Sequence, residues 1–247
     1  MGRAFEYRKA AKMKRWAGMA KAFTKVGREI NIAIKEGGAD PDYNPRLRLA
    51  INNAKAVNMP KANIEAAIKR ATDKDTSNYE EVTFEGYGPH GVAIFVEATS
   101  DNNNRTVASI RHAFSKYGGS LGTNGSVDYM FERKGQFIIK EANFSGDLEE
   151  LELELIDYGL DSIERETDED EPENNTINLY TGFEDFATLR DELEKRGIEV
   201  AKAELVRLPT HTKQLSDDEV EDVVKLIDKL EEDDDVANVF HTMDESE

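Results

Sequence analysis

The 247-residue chain is 38% hydrophobic and 34% charged, enough apolar matter for packed cores beneath a heavily solvated surface. It has no cysteine, which excludes a disulfide scaffold, cysteine-ligated zinc and a thiol nucleophile. Its net charge of −19 argues against phosphate affinity until its distribution is read: residues 1–70 hold 16 Lys+Arg against 6 Asp+Glu, a net of +10, and the remainder carries −29.

The N-terminal segment, MGRAFEYRKAAKMKRW, is basic but lacks the apolar core of a secretion signal. Its amphipathic, Lys/Arg-rich character loosely mimics a mitochondrial presequence, against which Glu6 and the absence of Ser argue. Glu6 also stands where a myristoylation signal needs Ser or Thr. No stretch approaches the roughly 18 apolar residues of a membrane span. The expectation is a cytoplasmic protein without a membrane partner.

A first helix is predicted from about Met19 to Glu36, ended by Gly37-Gly38. Asn44-Pro45 then gives an N-cap and first helical position for a helix to about Val57. Met59-Pro60 opens a third, to about Ala71, and Thr72–Asn78 is a polar linker. On a helical wheel with Phe23 at the origin, Val26, Ile30, Ala33 and Ile34 lie within about 80° and form a buried stripe. Lys21, Lys25, Arg28 and Lys35 fall on the opposite face, between about 120° and 200°. A surface helix shows charge to water in any case. This stripe, however, is almost all of one sign, and Lys9, Lys12, Lys14, Arg15, Arg46, Arg48, Lys61, Lys69 and Arg70 add to it from neighbouring segments. Gathered like charges repel one another unless a polyanion is near. The candidate nucleic-acid-binding set is therefore Lys9, Lys12, Lys14, Arg15, Lys21, Lys25, Arg28, Lys35, Arg46, Arg48 and Lys61. Trp16 and Tyr43 are candidates for stacking on unpaired bases, and equally for local packing.

The pattern then changes period. Glu81–Glu85 and Val92–Ala98 alternate as strands joined by the turn Gly86–Gly91, Asn104–Tyr117 is helical, and Val127–Phe131 is a further strand. From Gln136 the order is strand (136–140), helix (148–158), strand (162–166), strand (176–180), helix (183–196), strand (199–206). This is the β-α-β-β-α-β order of a ferredoxin-like unit, with the acidic run Asp168–Glu171 in its middle hairpin. A tail helix (217–230) and strand (236–241) can return to complete the preceding domain. The predicted fold is α+β: an N-terminal three-helix domain (1–75) and two α/β domains. One (79–133 plus 210–247) receives the other, ferredoxin-like one (134–209) as an insertion.

Catalytic motifs fail on context. Gly86-x-Gly88-x-x-Gly91 matches a dinucleotide fingerprint, but a strand follows it where a helix is needed. Gly118-x-Ser120-x-Gly122 matches a nucleophile elbow with its flanking elements reversed. His90, His112, His211 and His241 are scattered without ligand spacing, and acidic runs such as Glu231–Asp235 read as solvated faces, at most loose divalent-ion sites. No enzyme, cofactor or metal is expected.

Phe23-Thr24-Lys25, Arg28-Glu29-Ile30, Asn44-Pro45-Arg46-Leu47-Arg48 and Asn58-Met59-Pro60-Lys61 resemble the N-terminal domain of the YebC/PmpR family. Gly86-Tyr87-Gly88-Pro89 with Gly91-Val92, Asn104-Arg105-Thr106, and Gly118–Gly122 with Ser126-Val127 continue the resemblance to about residue 135. It implies a three-domain cytoplasmic regulator of transcription that binds DNA. Relatives acting as translation factors at the ribosome, notably on proline-rich nascent peptides, imply ribosomal RNA as the alternative ligand. The chain departs at its start, where Arg3-Ala4-Phe5-Glu6-Tyr7 replaces the family's usual Gly-His-Ser-Lys-Trp-like segment, so no role of that His or Trp carries over. Nucleic acid, DNA or ribosomal RNA, is the expected partner. A non-enzymatic protein-interaction scaffold is the rival reading, and the sequence gives no oligomeric state.

Overall fold

A computed structural model describes residues 19–73, 79–167 and 175–244. By contacts the chain divides into two compact units, one of Met1–Phe131 with Pro209–Glu247 and one of Glu132–Leu208.

The first unit begins with α1 (Met19–Gly37), α2 (Pro45–Ala56) and α3 (Lys61–Thr72). The apolar stripe of α1 is buried as the wheel requires: Val26, Ile30, Ala33 and Ile34 pack with Leu47, Ala50 and Ala54 of α2 and Ile64, Ala67 and Ala71 of α3. Asn44 locks the α1–α2 corner. Its side-chain oxygen accepts from the Leu47 N–H at 3.0 Å, and its amide nitrogen donates to the carbonyls of Ala33 (2.6 Å) and Gly38 (2.8 Å). One buried side chain thus satisfies the start of one helix and the end of another.

The sheet of the first unit has the order β3-β1-β2-β8, from β1 (Glu80–Tyr87), β2 (Ala93–Ser100), β3 (Ser120–Leu121) and β8 (Val236–His241). The helices α4 (Asn103–Lys116) and α7 (Asp217–Glu231) supply the core on one face, where Ile110, Phe114, Val223, Leu226 and Ile227 meet Phe84, Ile94 and Val96. On the other face Phe95 and Ala93 meet Val127 and Phe131. The tail strand β8 lies antiparallel to β2, Phe95 opposite Phe240, so the last residues of the chain complete the sheet opened by β1.

The second unit has β4 (Phe131–Lys140), α5 (Leu148–Leu155), β5 (Leu160–Glu166), β6 (Thr176–Gly182), α6 (Phe186–Lys195) and β7 (Lys202–Pro209). Its sheet order, β7-β4-β6-β5, is ferredoxin-like. The acidic run 168–171 lies outside the described residues.

The strand expected at Val127–Phe131 is not one. Asp128–Met130 form a single 3-10 turn and the strand starts at Phe131. The cause is Glu85, a buried carboxylate that accepts from the backbone N–H groups of Gly125 (2.6 Å), Val127 (2.8 Å) and Asp128 (2.9 Å). Those donors would otherwise serve a strand ladder. α6 and β7 each begin three residues later than the pattern suggested.

Both rejected catalytic motifs turn out to be the two sides of one close approach. β3 pairs with the end of β1, Gly86 opposite Leu121 and Tyr87 opposite Ser120. A Cβ on Gly86 would stand 2.5 Å from the Ser120 carbonyl oxygen, and one on Gly119 would stand 2.6 Å from that of Tyr87. The glycines serve backbone packing rather than a phosphate or an acyl group.

The Asn44 corner yields a stability prediction. Asn44→Ala should lower stability by about 2–3 kcal/mol, from the lost cap and the stranded carbonyls. Asn44→Asp keeps the cap but turns a carboxylate on two carbonyl oxygens, so it should lose at least as much. Urea midpoints check this; an aspartate variant as stable as the parent would show that only the cap matters.

Candidate nucleic-acid interface

α1 carries the basic row of the sequence analysis, and its wheel positions are as expected. Of its four cations, Lys21, Lys25 and Arg28 meet the end of α7 and the turn into β8, while Lys35 is exposed. Lys21 Nζ donates to the Glu232 carbonyl at 3.0 Å and Lys25 Nζ to the Ala237 carbonyl at 3.4 Å. Arg28 Nη1 reaches the carbonyls of Thr99 (3.0 Å) and Asp234 and the Asp235 carboxylate (2.9 Å), while its guanidinium lies 5.1 Å from the centre of the Tyr79 ring. The acidic run Glu231–Asp235 is therefore not simply a solvated face: it is the C-terminal end of α7 and the turn into β8, and it sits against the basic row.

Asp235 is the centre of this contact. Besides Arg28 it accepts from Arg105 Nη2 at 2.8 and 3.0 Å and from the hydroxyls of Thr106 (2.7 Å) and Ser100 (3.3 Å). The Arg28 and Asp235 side chains are only 13% and 5% exposed, so this is a buried ion pair. Burial alone would raise the Asp235 carboxyl. The Thr106 and Arg105 hydrogen bonds and the charges of Arg105 and Arg28 outweigh it and hold the group below the ordinary aspartate range. Burial lowers the Lys25 ammonium more than the attraction of Glu231 and Asp234 raises it.

The other candidates divide. Arg46 bridges Glu36 of α1 (2.6 Å) and Glu81 of β1. Arg48 donates to the carbonyls of Pro41 (2.8 Å) and Asp42 (3.0 Å), closing the α1–α2 loop. Lys35 is exposed in the last turn of α1, and Lys61 is 90% exposed with Glu65 at 3.8 Å. Lys55, Lys69 and Arg70 are also exposed, and Tyr43 is 85% exposed. Lys9, Lys12, Lys14 and Arg15, like Trp16, lie outside the described residues.

A family model described as "TACO1/YebC protein N-terminal domain" matches residues 3–74, and one described as "TACO1/YebC second and third domain" matches residues 79–243. The chain belongs to the TACO1/YebC family. A "Probable transcriptional regulatory protein" of Flavobacterium psychrophilum is 56% identical over 245 residues, covering 99% of this chain and 100% of the relative. One of Porphyromonas gingivalis is 54% identical over 248 residues, covering 100% and 99%. The crystal structure of a conserved hypothetical protein, Aq1575 from Aquifex aeolicus, superposes with a TM-score of 0.78 at 40% identity, covering 91% of this chain and 90% of that one. The family match thus extends well beyond the motifs between residues 20 and 135, and includes most of the divergent N-terminal segment.

In this TACO1/YebC chain the sequence reading missed Asp235 and Ile32. Ile32 sits at about 180° on the wheel, in the middle of the basic row, yet it is only 7% exposed. An isoleucine there was the available sign that the row is covered. It also missed the setting of His90, whose ring nitrogens stand 3.1 Å from Asp222 and 3.4 Å from Glu219 of α7. Among the described residues no group of three or more His, Asp or Glu is arranged to hold a metal ion, and no described helix is long and apolar enough to cross a membrane.

The basic row opposes the apolar stripe of α1, so its loss leaves the helical core intact at most positions. The buried pair makes Arg28 an exception: Arg28→Gln should cost about 1–3 kcal/mol. The linkage is signed by the depressed Asp235 carboxyl. Its contribution is complete above about pH 4 and is lost as pH falls through the depressed value. Asp235→Asn should therefore be less stable than the parent at neutral pH, with the difference shrinking in strong acid. Denaturation across the acid range checks this, and a difference independent of pH would refute it.

Proposed function

We propose that this TACO1/YebC chain is a non-enzymatic regulator of gene expression that binds nucleic acid through its helical domain. The observation that carries the reading is the segregation of charge: +10 in residues 1–70 against −29 in the rest. A surplus of one sign within a short segment is self-repelling, and a phosphate backbone relieves it. Lys35, Lys55, Lys61, Lys69 and Arg70 present part of that surplus to solvent. The names of the relatives support a role in transcription; duplex DNA is the ligand that such a role implies, and the cytoplasm the setting we assign to it.

The −29 body favours a second reading. An extended duplex repels it along its length, whereas a recessed site in structured RNA, such as ribosomal RNA, engages a small basic domain by shape and phosphate contacts while the acidic body stays clear. No described element presents an obvious set of side chains for reading base edges in the major groove.

Binding of the full chain to duplex DNA and to an RNA hairpin should be measured against salt. Lys35→Gln with Lys61→Gln should weaken binding and make the slope of log K on log salt shallower by about 0.7–0.9 per lost phosphate contact. Unchanged affinity and slope would remove these positions from the interface, and binding to neither probe would leave the scaffold reading. Tighter binding to the hairpin, with co-sedimentation with ribosomes, would select RNA over DNA.

A further inference from the structure

The contact between the α1 row and the acidic turn has two unequal halves. At the inner end, Arg28 and Asp235 form a buried ion pair within a hydrogen-bonded cluster. At the outer end, Lys21 and Lys25 donate to neutral main-chain carbonyls, those of Glu232 and Ala237. Lys21 is exposed and Lys25 half-buried, and the carboxylates of Glu231 and Asp234 act on Lys25, while that of Glu232 pairs with Lys229 at 3.0 Å. An ammonium bound to a carbonyl gains when it exchanges that oxygen for an anionic phosphate oxygen, because the attraction of opposite charges is added to the hydrogen bond. The exchange at Lys21 needs a side-chain rotation and leaves the Arg28–Asp235 pair in place.

We propose that the acidic turn is a built-in competitor for the basic row of α1: it holds Lys21 and Lys25 on backbone oxygens and screens them with Glu231 and Asp234. A phosphodiester ligand must displace that contact to use them. The proposal rests on the reading that the helical domain binds nucleic acid, and concerns how that binding is restrained. Its effect is selective. An isolated phosphate gains little against two neighbouring carboxylates, whereas a ligand already held by the exposed lysines brings its next phosphates to Lys21 and Lys25 at high effective concentration.

The test neutralises the two screening carboxylates and leaves Asp235 intact. Glu231→Gln and Asp234→Asn together should tighten binding of a short mixed-sequence DNA duplex or an RNA hairpin by about three- to tenfold at about 0.15 M salt. Asp218→Asn and Glu221→Gln remove the same charge from the opposite end of α7, roughly 15–20 Å away. That control should gain no more than about twofold, since the separation exceeds the Debye length at physiological salt. Adding Lys21→Gln and Lys25→Gln to the first variant should abolish its gain, with urea midpoints confirming that each variant is folded. In the parent protein, backbone amide exchange at residues 231–238 should rise when the probe binds. A parent that binds while the first variant gains no more than the control, or a gain that survives loss of both lysines, would overturn the competitor and leave the nucleic-acid reading standing. No binding by any form of the chain would overturn both.

Discussion

Asp235 is a carboxylate taken almost wholly out of water, and the first unit is organised around making that tolerable. Two guanidinium groups and two hydroxyls meet it from three separate places: Arg28 on α1, Ser100 at the end of β2, and Arg105 and Thr106 in the first turns of α4. The Thr99 N–H also donates to the Asp235 carbonyl at 2.7 Å. A buried ion pair of this kind is weak evidence for stability, because desolvation offsets most of the attraction. Its value is directional. The acceptors on Asp235 can be filled only when α1, the β2–α4 junction and the turn into β8 stand in one arrangement, so the carboxylate discriminates against alternative seatings of the helical domain.

That arrangement depends on residues far apart in the chain. Arg28 and Asp235 are brought together only after β8 has paired with β2, and the whole of Glu132–Leu208 intervenes between the two parts of the sheet. Contacts of such separation form late and slow folding. The capping box at Ser216–Glu219 and the strongly amphipathic α7 give the returning tail local structure of its own, and six buried side chains of α7 then enter the core. Local propensity and long-range packing thus favour the same outcome, which reduces the entropic penalty of closure.

Most of this architecture was legible because each element obeys one period. The stripe of α1, the alternation of β1 and β2, the Asn44-Pro45 start and the tail strand 236–241 were read from local pattern, and the β-α-β-β-α-β order named the inserted unit. What was not legible depends on partners that no local pattern contains. Val127–Phe131 reads as a strand until Glu85, 42 residues before Val127, takes its N–H groups. The wheel placed Lys21, Lys25 and Arg28 on one face correctly, but whether such a face meets water or an acidic turn is decided by tertiary structure. Two hints were present: Ile32 in the middle of the row, and a run of five carboxylates at Glu231–Asp235, opposite to it in sign. Neither is interpretable until α7 and β8 are known to return to the first unit.

The internal contact also changes what the charge count means. A net of +10 in the first seventy residues suggests many phosphate contacts and a steep dependence on salt. In the folded chain Arg28 is committed to Asp235, Arg46 to Glu36 and Glu81, and Arg48 to loop carbonyls, so three guanidinium groups serve the fold. Guanidinium groups suit that work, since their planar forks satisfy several fixed acceptors at once. The exposed cations of the described helices are mainly lysines, compact charges that contact phosphate without reading bases. A surface of that composition holds a ligand by the placement of a few phosphates, and discrimination must then come from the shape of the ligand and from the acidic body that repels whatever approaches in the wrong pose.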